Sequence, residues 1–134
     1  MLQFTKEVDY GLQFIIKLSE NMQNLVSLRE FSEESKISFL FMQRIVKKLR
    51  EANLIESTKG SKGGYKLTKT PNKISLRKIV EAIEGEYAVV NCLKKNCHCS
   101  RESKCKSKEI FQGINLYLIK YLDSISLDEA ICKK

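Results

Sequence analysis

The chain has 134 residues, 43% of them hydrophobic, and a net charge of +8 from 24 Lys and Arg against 16 Asp and Glu. That length allows one domain, or one domain with an appended arm, and the sequence contains no apolar run of about 18 residues that would span a membrane. The opening MLQFTKEVDYG has acids where a secretory leader needs an apolar stretch, so a cytoplasmic protein with reduced thiols is expected.

In chain order, residues 5–20 read as an amphipathic helix with Val8, Leu12, Ile15 and Ile16 on one face. Ser27-Leu28-Arg29-Glu30 is a capping box that opens a short helix to about Glu34. Ser38 is the next N-cap, and its helix runs to about Ala52. The apolar face there is Phe41, Met42, Ile45, Val46 and Leu49; the other face shows Gln43, Arg44, Lys47 and Lys48. Two short strands, about 54–58 and 65–68, flank the basic, glycine-rich turn Lys59-Gly60-Ser61-Lys62-Gly63-Gly64. Pro71-Asn72 breaks the chain, Ser75 caps a helix to about Glu84, and Gly85 is placed to end it. A cysteine-rich loop spans about 91–106. From about Ser107 to Ser124 the chain is helical again, with Ile110, Phe111, Ile114, Leu118, Tyr121, Leu122 and Ile125 on one face. Leu116, Tyr117 and Ile119 are apolar too. A helix apolar nearly all round needs a second partner, and a homodimer supplies it most simply.

The charge is segregated. Residues 36–78 hold twelve Lys or Arg and only two acids, Glu51 and Glu56; the rest of the chain holds twelve bases and fourteen acids. A positive excess confined to one segment is the footprint of a phosphate-binding surface. The element order of helix, short helix, capped basic helix, strand, glycine-rich turn and strand is that of a winged helix-turn-helix. The expected fold class is therefore mainly α with a small β-hairpin, followed by a long C-terminal dimerisation helix. The second helix of the motif would enter the major groove of double-stranded DNA, with Ser38 at its start. Arg44 suits a guanine edge and Gln43 an adenine edge, and Lys47 lies on the same face. Lys59, Ser61, Lys62 and Gly63 on the turn would meet phosphate or the minor groove. The turn is not a Walker loop, since it joins strand to strand and no GK[ST] follows. The chain divides into a winged-helix DNA-binding domain (1–84), a cysteine-rich cluster-binding loop (85–106), and a dimerisation helix with a tail (107–134).

Cys92, Cys97, Cys99 and Cys105 fall within fourteen residues. Thiolates gathered this closely select soft metals or iron–sulfur clusters, and tetrahedral zinc suits four cysteines equally. His98, the single histidine, lies among them, and Cys132 stands apart. Lys94, Lys95, Arg101, Lys104, Lys106 and Lys108 offset the negative charge of a thiolate-ligated cluster. No C-x-x-C motif or thioredoxin-like pattern occurs, so an enzyme is not expected.

The stretches Asp9-Tyr10-Gly11-Leu12, Ile37-Ser38 and Arg44-Ile45-Val46-Lys47-Lys48-Leu49-Arg50, the wing Lys59-Gly60 with Gly63-Gly64-Tyr65-Lys66-Leu67, and Ile74-Ser75-Leu76 leading to Ile79-Val80-Glu81-Ala82-Ile83-Glu84-Gly85 carry a resemblance. So does the ending Leu122-Asp123-Ser124-Ile125-Ser126-Leu127. Nearly the whole chain resembles the Rrf-two family of bacterial winged-helix regulators, which includes IscR, NsrR and CymR. The resemblance implies a homodimer paired through the long helix and, in some members, an iron–sulfur cluster of two or four irons on three cysteines. Set against the family spacing, Cys92, Cys99 and Cys105 form the preferred triad, with Cys92 one residue too far upstream; Cys92, Cys97 and Cys105 compete. For the fourth ligand, Lys108 stands where an IscR-like histidine would. An NsrR-like acid from the partner subunit corresponds to Asp9, and Cys97 or His98 are the alternatives. Loss or damage of the cluster through iron limitation, oxidant or nitric oxide would then alter operator affinity. The alternative is a cluster-free regulator controlled by a partner protein or by zinc.

Overall fold

The computed structural model describes residues 3–98, 100 and 104–132. Thr5 opens helix α1 (Lys6–Glu20) by accepting from the Val8 amide, and Glu7 and Asp9 occupy the first turn, where the helix dipole favours acids. α1 lies against two later helices at once. Its buried side is therefore Val8, Gly11, Phe14, Ile15 and Leu18. The expected face of Val8, Leu12, Ile15 and Ile16 is corrected accordingly: Leu12 and Ile16 are only partly buried at the rim, and Phe14 and Leu18 take the centre.

Ser27 accepts from the Glu30 amide and starts α2 (Leu28–Ser35); Ser38 accepts from the Phe41 amide and starts α3 (Phe39–Glu51). Between them the chain turns through Lys36, held left-handed at φ 59°. The buried hydroxyl of Ser32 donates to the Ile37 carbonyl and ties the turn back to α2. α3 buries Met42, Ile45, Val46 and Leu49, which leaves its polar side to solvent.

Strands β1 (Ile55–Thr58) and β2 (Gly64–Leu67) pair antiparallel, from Ile55 opposite Leu67 to Thr58 opposite Gly64. Each lies within one residue of its expected span. The other edge of β2 is covered by Val26, which exchanges two backbone hydrogen bonds of 2.9 Å with Tyr65. That pairing fixes the wing to the chain entering α2.

Ser75 caps α4 (Leu76–Glu84), and Gly85, at φ 80°, ends it. The long helix α5 (Lys106–Ser124) packs on α4 through its C-terminal part, where Leu122 alone is buried among its described residues. A short helix α6 (Leu127–Cys132), absent from the sequence reading, then folds back to the head. The Leu127 amide donates to the Ile74 carbonyl (2.8 Å), the Leu76 amide to the Ile125 carbonyl (3.0 Å), and the Leu127 side chain is fully buried. No described helix is long and apolar enough to cross a membrane.

Candidate nucleic-acid interface and cysteine loop

Burial of one side of α3 turns Gln43, Arg44 and Lys47 outward, with Ser38 exposed at the helix start. Arg44 is largely free of neighbouring protein, its side chain 72% exposed. The sequence reading passed over Leu40, which projects from the first turn of α3 and is 73% exposed. An apolar side chain that far from the core suits a thymine methyl in a groove; its signal was a leucine off the 3.6-residue period of the buried face.

The wing tip is built for close approach. Gly60 adopts φ 120°, a conformation open to glycine, and the Gly63 amide donates to the Gly60 carbonyl at 3.0 Å. A Cβ on Gly63 would stand 2.2 Å from the Thr58 carbonyl oxygen, so only glycine closes this turn. Lys59, Ser61 and Lys62 are all exposed there. Cross-strand Lys66 is paired with Glu56 at 3.3 Å. Among the described residues, Lys47, Lys59 and Lys62 have no ion-pair partner. Lys48 and Arg44 do have one: Glu7 of α1 lies 2.7 Å from the Lys48 ammonium and 4.0 Å from the Arg44 guanidinium. This contact is not legible in the sequence, because its members are separated by almost the whole helix-turn-helix.

Beside Glu7 a cleft of about 700 Å³ runs between the start of α1, α3 and the residues after α4, with Phe41, Lys48, Glu84 and Tyr87 on its walls. The Thr5 amide donates to Glu84 (3.2 Å), and Phe4 packs on the Tyr87 ring. Burial, reinforced by the Glu84 charge, pushes the Tyr87 phenol above its ordinary pKa.

The cysteine loop is fastened to α5 at one end. The Val89 amide donates to Asn115 Oδ1 (2.9 Å), and Leu93 shares a cavity with Asn115 and Ile119. Cys92 lies in the one-turn 3-10 helix Asn91–Leu93. The Cys97 amide donates to the Lys94 carbonyl, and the Lys95 amide to Glu86. Cys105 is the N-cap residue of α5, with its sulfur 3.2 Å from the Ser107 hydroxyl. Asn115 stands ten residues farther along that helix, a rise of about 15 Å. The turn bearing Cys92 therefore lies beside the middle of α5, not its start. Asp9 is exposed and accepts from the Gln13 side-chain amide at 3.1 Å. His98 is exposed, as is Cys132 in α6. Cys99 lies outside the described residues. Among the described residues no three His, Cys, Asp or Glu side chains come together as a metal site. The donor chemistry of the loop suits a thiophilic metal or cluster.

A family profile described as "Iron-dependent Transcriptional regulator", Rrf2, matches residues 4–133. The chain belongs to the Rrf2 family. IscR of Aliivibrio salmonicida is 29% identical over 129 residues, 96% of this chain and 76% of that one. NsrR of Oceanobacillus iheyensis is 24% identical over 132 residues, 97% and 90% of the two chains. The structure of CymR, the global cysteine regulator of B. subtilis, matches with a TM-score of 0.80 at 24% identity, covering 100% of this chain and 99% of that one, and shows the fold. The expected winged-helix fold and family resemblance are thus borne out. Members of this family are DNA-binding transcriptional regulators and not enzymes.

Proposed function

We propose that this Rrf2-family regulator acts in the cytoplasm as a homodimer that reads a near-palindromic duplex through α3 and the wing, and that its cysteine loop senses iron or redox state through an iron–sulfur cluster. The observation that carries the DNA interface is the set of exposed cations at Arg44, Lys47, Lys59 and Lys62, set on a capped helix and a glycine-closed turn. Gln43 and Arg44 supply base-edge donors, Ser38, Lys47, Ser61 and the Gly63 backbone supply phosphate contacts, and Lys59 and Lys62 anchor the wing. Pairing of two copies is supported by the exposed apolar stripe Ile110, Ile114, Tyr117 and Tyr121, at successive spacings of three and four along α5. Two-fold pairing of helix-turn-helix heads sets half-sites about one helical turn apart.

Cys92, Cys99 and Cys105 would hold the cluster, with Asp9 of the partner subunit or Cys97 as fourth ligand. Such a group supplies an oxidisable, nitric-oxide-reactive centre beside the heads. The alternative is a regulator without a cluster that is controlled by zinc or by a partner protein.

Anaerobic isolation with iron and sulfide analysis separates the two. The first reading expects a coloured protein that loses colour in Cys92→Ser, Cys99→Ser or Cys105→Ser and keeps it in Cys132→Ser. It also expects Asp9→Ala to alter the cluster spectrum more than Cys97→Ser or His98→Ala. A colourless wild type with one zinc per chain establishes the second.

A further inference from the structure

Glu7 stands out because it is an acid set against the face that should meet DNA. It lies in the first turn of α1, three-quarters covered, and reaches two cations of α3 at once. Its Lys48 contact, at 2.7 Å, has hydrogen-bond length; the Arg44 contact, at 4.0 Å, is looser and leaves that side chain exposed. Among the described residues, the remaining cations of α3 and the wing tip have no such restraint.

We infer that Glu7 is a positioning residue that withholds Lys48, and far more loosely Arg44, from the DNA backbone, and so sets how many phosphates α3 neutralises on any duplex. This rests on the reading of α3 as the recognition helix. A duplex approaching α3 brings phosphates that compete with the Glu7 carboxylate for both cations and that the carboxylate itself repels. On any sequence, therefore, Glu7 lowers the number of phosphates that α3 can neutralise. An exposed ion pair shifts an equilibrium by about two- to fivefold. A bidentate arginine–guanine contact discriminates by about five- to a hundredfold. Displacing Arg44 from Glu7 costs the same on either duplex, so the base contact of Arg44 sets sequence preference, whereas Glu7 and Lys48 set overall affinity. Glu7 also sits at the wall of the cleft shared with Glu84 and Tyr87, so its grip on Lys48 is made where the head meets the segment leading into the cysteine loop.

The test uses the full-length protein with a duplex that the wild type selects from a random library and an unselected duplex of equal length, each over a range of salt. Glu7→Gln should bind both duplexes about three- to fivefold more tightly and steepen the salt dependence by about one unit as Lys48 gains a phosphate. Glu7→Asp should restore much of the wild-type affinity, and adding Lys48→Met to Glu7→Gln should return the salt slope to its original value. Glu51→Gln, which removes the same charge from α3 without touching either cation, should leave the salt slope unchanged. If Glu7→Gln keeps the wild-type slope and affinity while Lys62→Ala flattens the slope, the role of Glu7 is refuted and the DNA interface stands. The role is equally refuted if Glu51→Gln reproduces the effect, which would then be one of net charge. If Arg44→Ala and Lys62→Ala both leave binding intact, the interface itself is wrong and this inference falls with it.

Discussion

Gly63 shows how narrowly one residue can set a functional surface. Its amide closes the wing on Gly60, and a methyl group there would meet backbone oxygens of Thr58 and Gly60 at 2.2 and 2.9 Å. Neither oxygen can yield without opening the hairpin. Gly63→Ala should therefore disorder the tip that carries Lys59 and Lys62. Because the tip is exposed and outside the core, the melting temperature should stay within about 2 °C of wild type, as for surface changes of about 0.5 kcal/mol. Duplex affinity should fall on all sequences alike. A variant with unchanged affinity would show that the wing does not touch DNA.

Among the elements, the boundaries that hold are those with a chemical mark. Ser27, Ser38 and Ser75 each cap the helix expected of them, and Gly85 ends α4, because a hydroxyl satisfying an orphan amide and a left-handed glycine act locally. The same holds for the wing, whose turn residues specify a hairpin before any tertiary contact forms. What the sequence concealed is non-local. Val26 pairing with Tyr65 reads as an isolated residue in a turn, and the Glu7 contacts join α1 to α3 across the motif. Asp9, the acid that the family resemblance singles out, makes only a local bond to Gln13. α6 is too short to show a period, and its formation depends on Leu127 entering the core beside Ile74. That dependence is testable. Leu127→Ala should cost about 2–5 kcal/mol, the range for truncating a fully buried leucine, and should raise hydrogen exchange at the Leu76 and Leu127 amides, which join α4 and α6. Loss of less than about 1 kcal/mol would mean that α6 only rests on the surface.

For the whole molecule, the described chain leaves one long helix underused. α5 buries only Leu122 among its described residues, while Ile110 and Tyr117 are 66% and 79% exposed. A second copy packing along that stripe would remove much of this apolar area from water, at about 25 cal/mol per Å². Ile114→Glu places a charge in the middle of the stripe and should give a monomer by sedimentation, with an intact far-ultraviolet circular dichroism spectrum. Operator affinity should drop by at least about tenfold, since the two heads no longer bind as one unit. A dimer that persists in Ile114→Glu would move the interface elsewhere.

Arg44 and Lys62 separate recognition of sequence by α3 from attraction to the phosphate backbone. The decisive measurement is the affinity of wild type, Arg44→Ala and Lys62→Ala for the selected and unselected duplexes as salt is varied. Arg44→Ala should lose about 1–3 kcal/mol on the selected duplex and little on the other, whereas Lys62→Ala should weaken both equally and reduce the salt slope by about one. Equal losses for both variants on both duplexes would contradict base reading by α3.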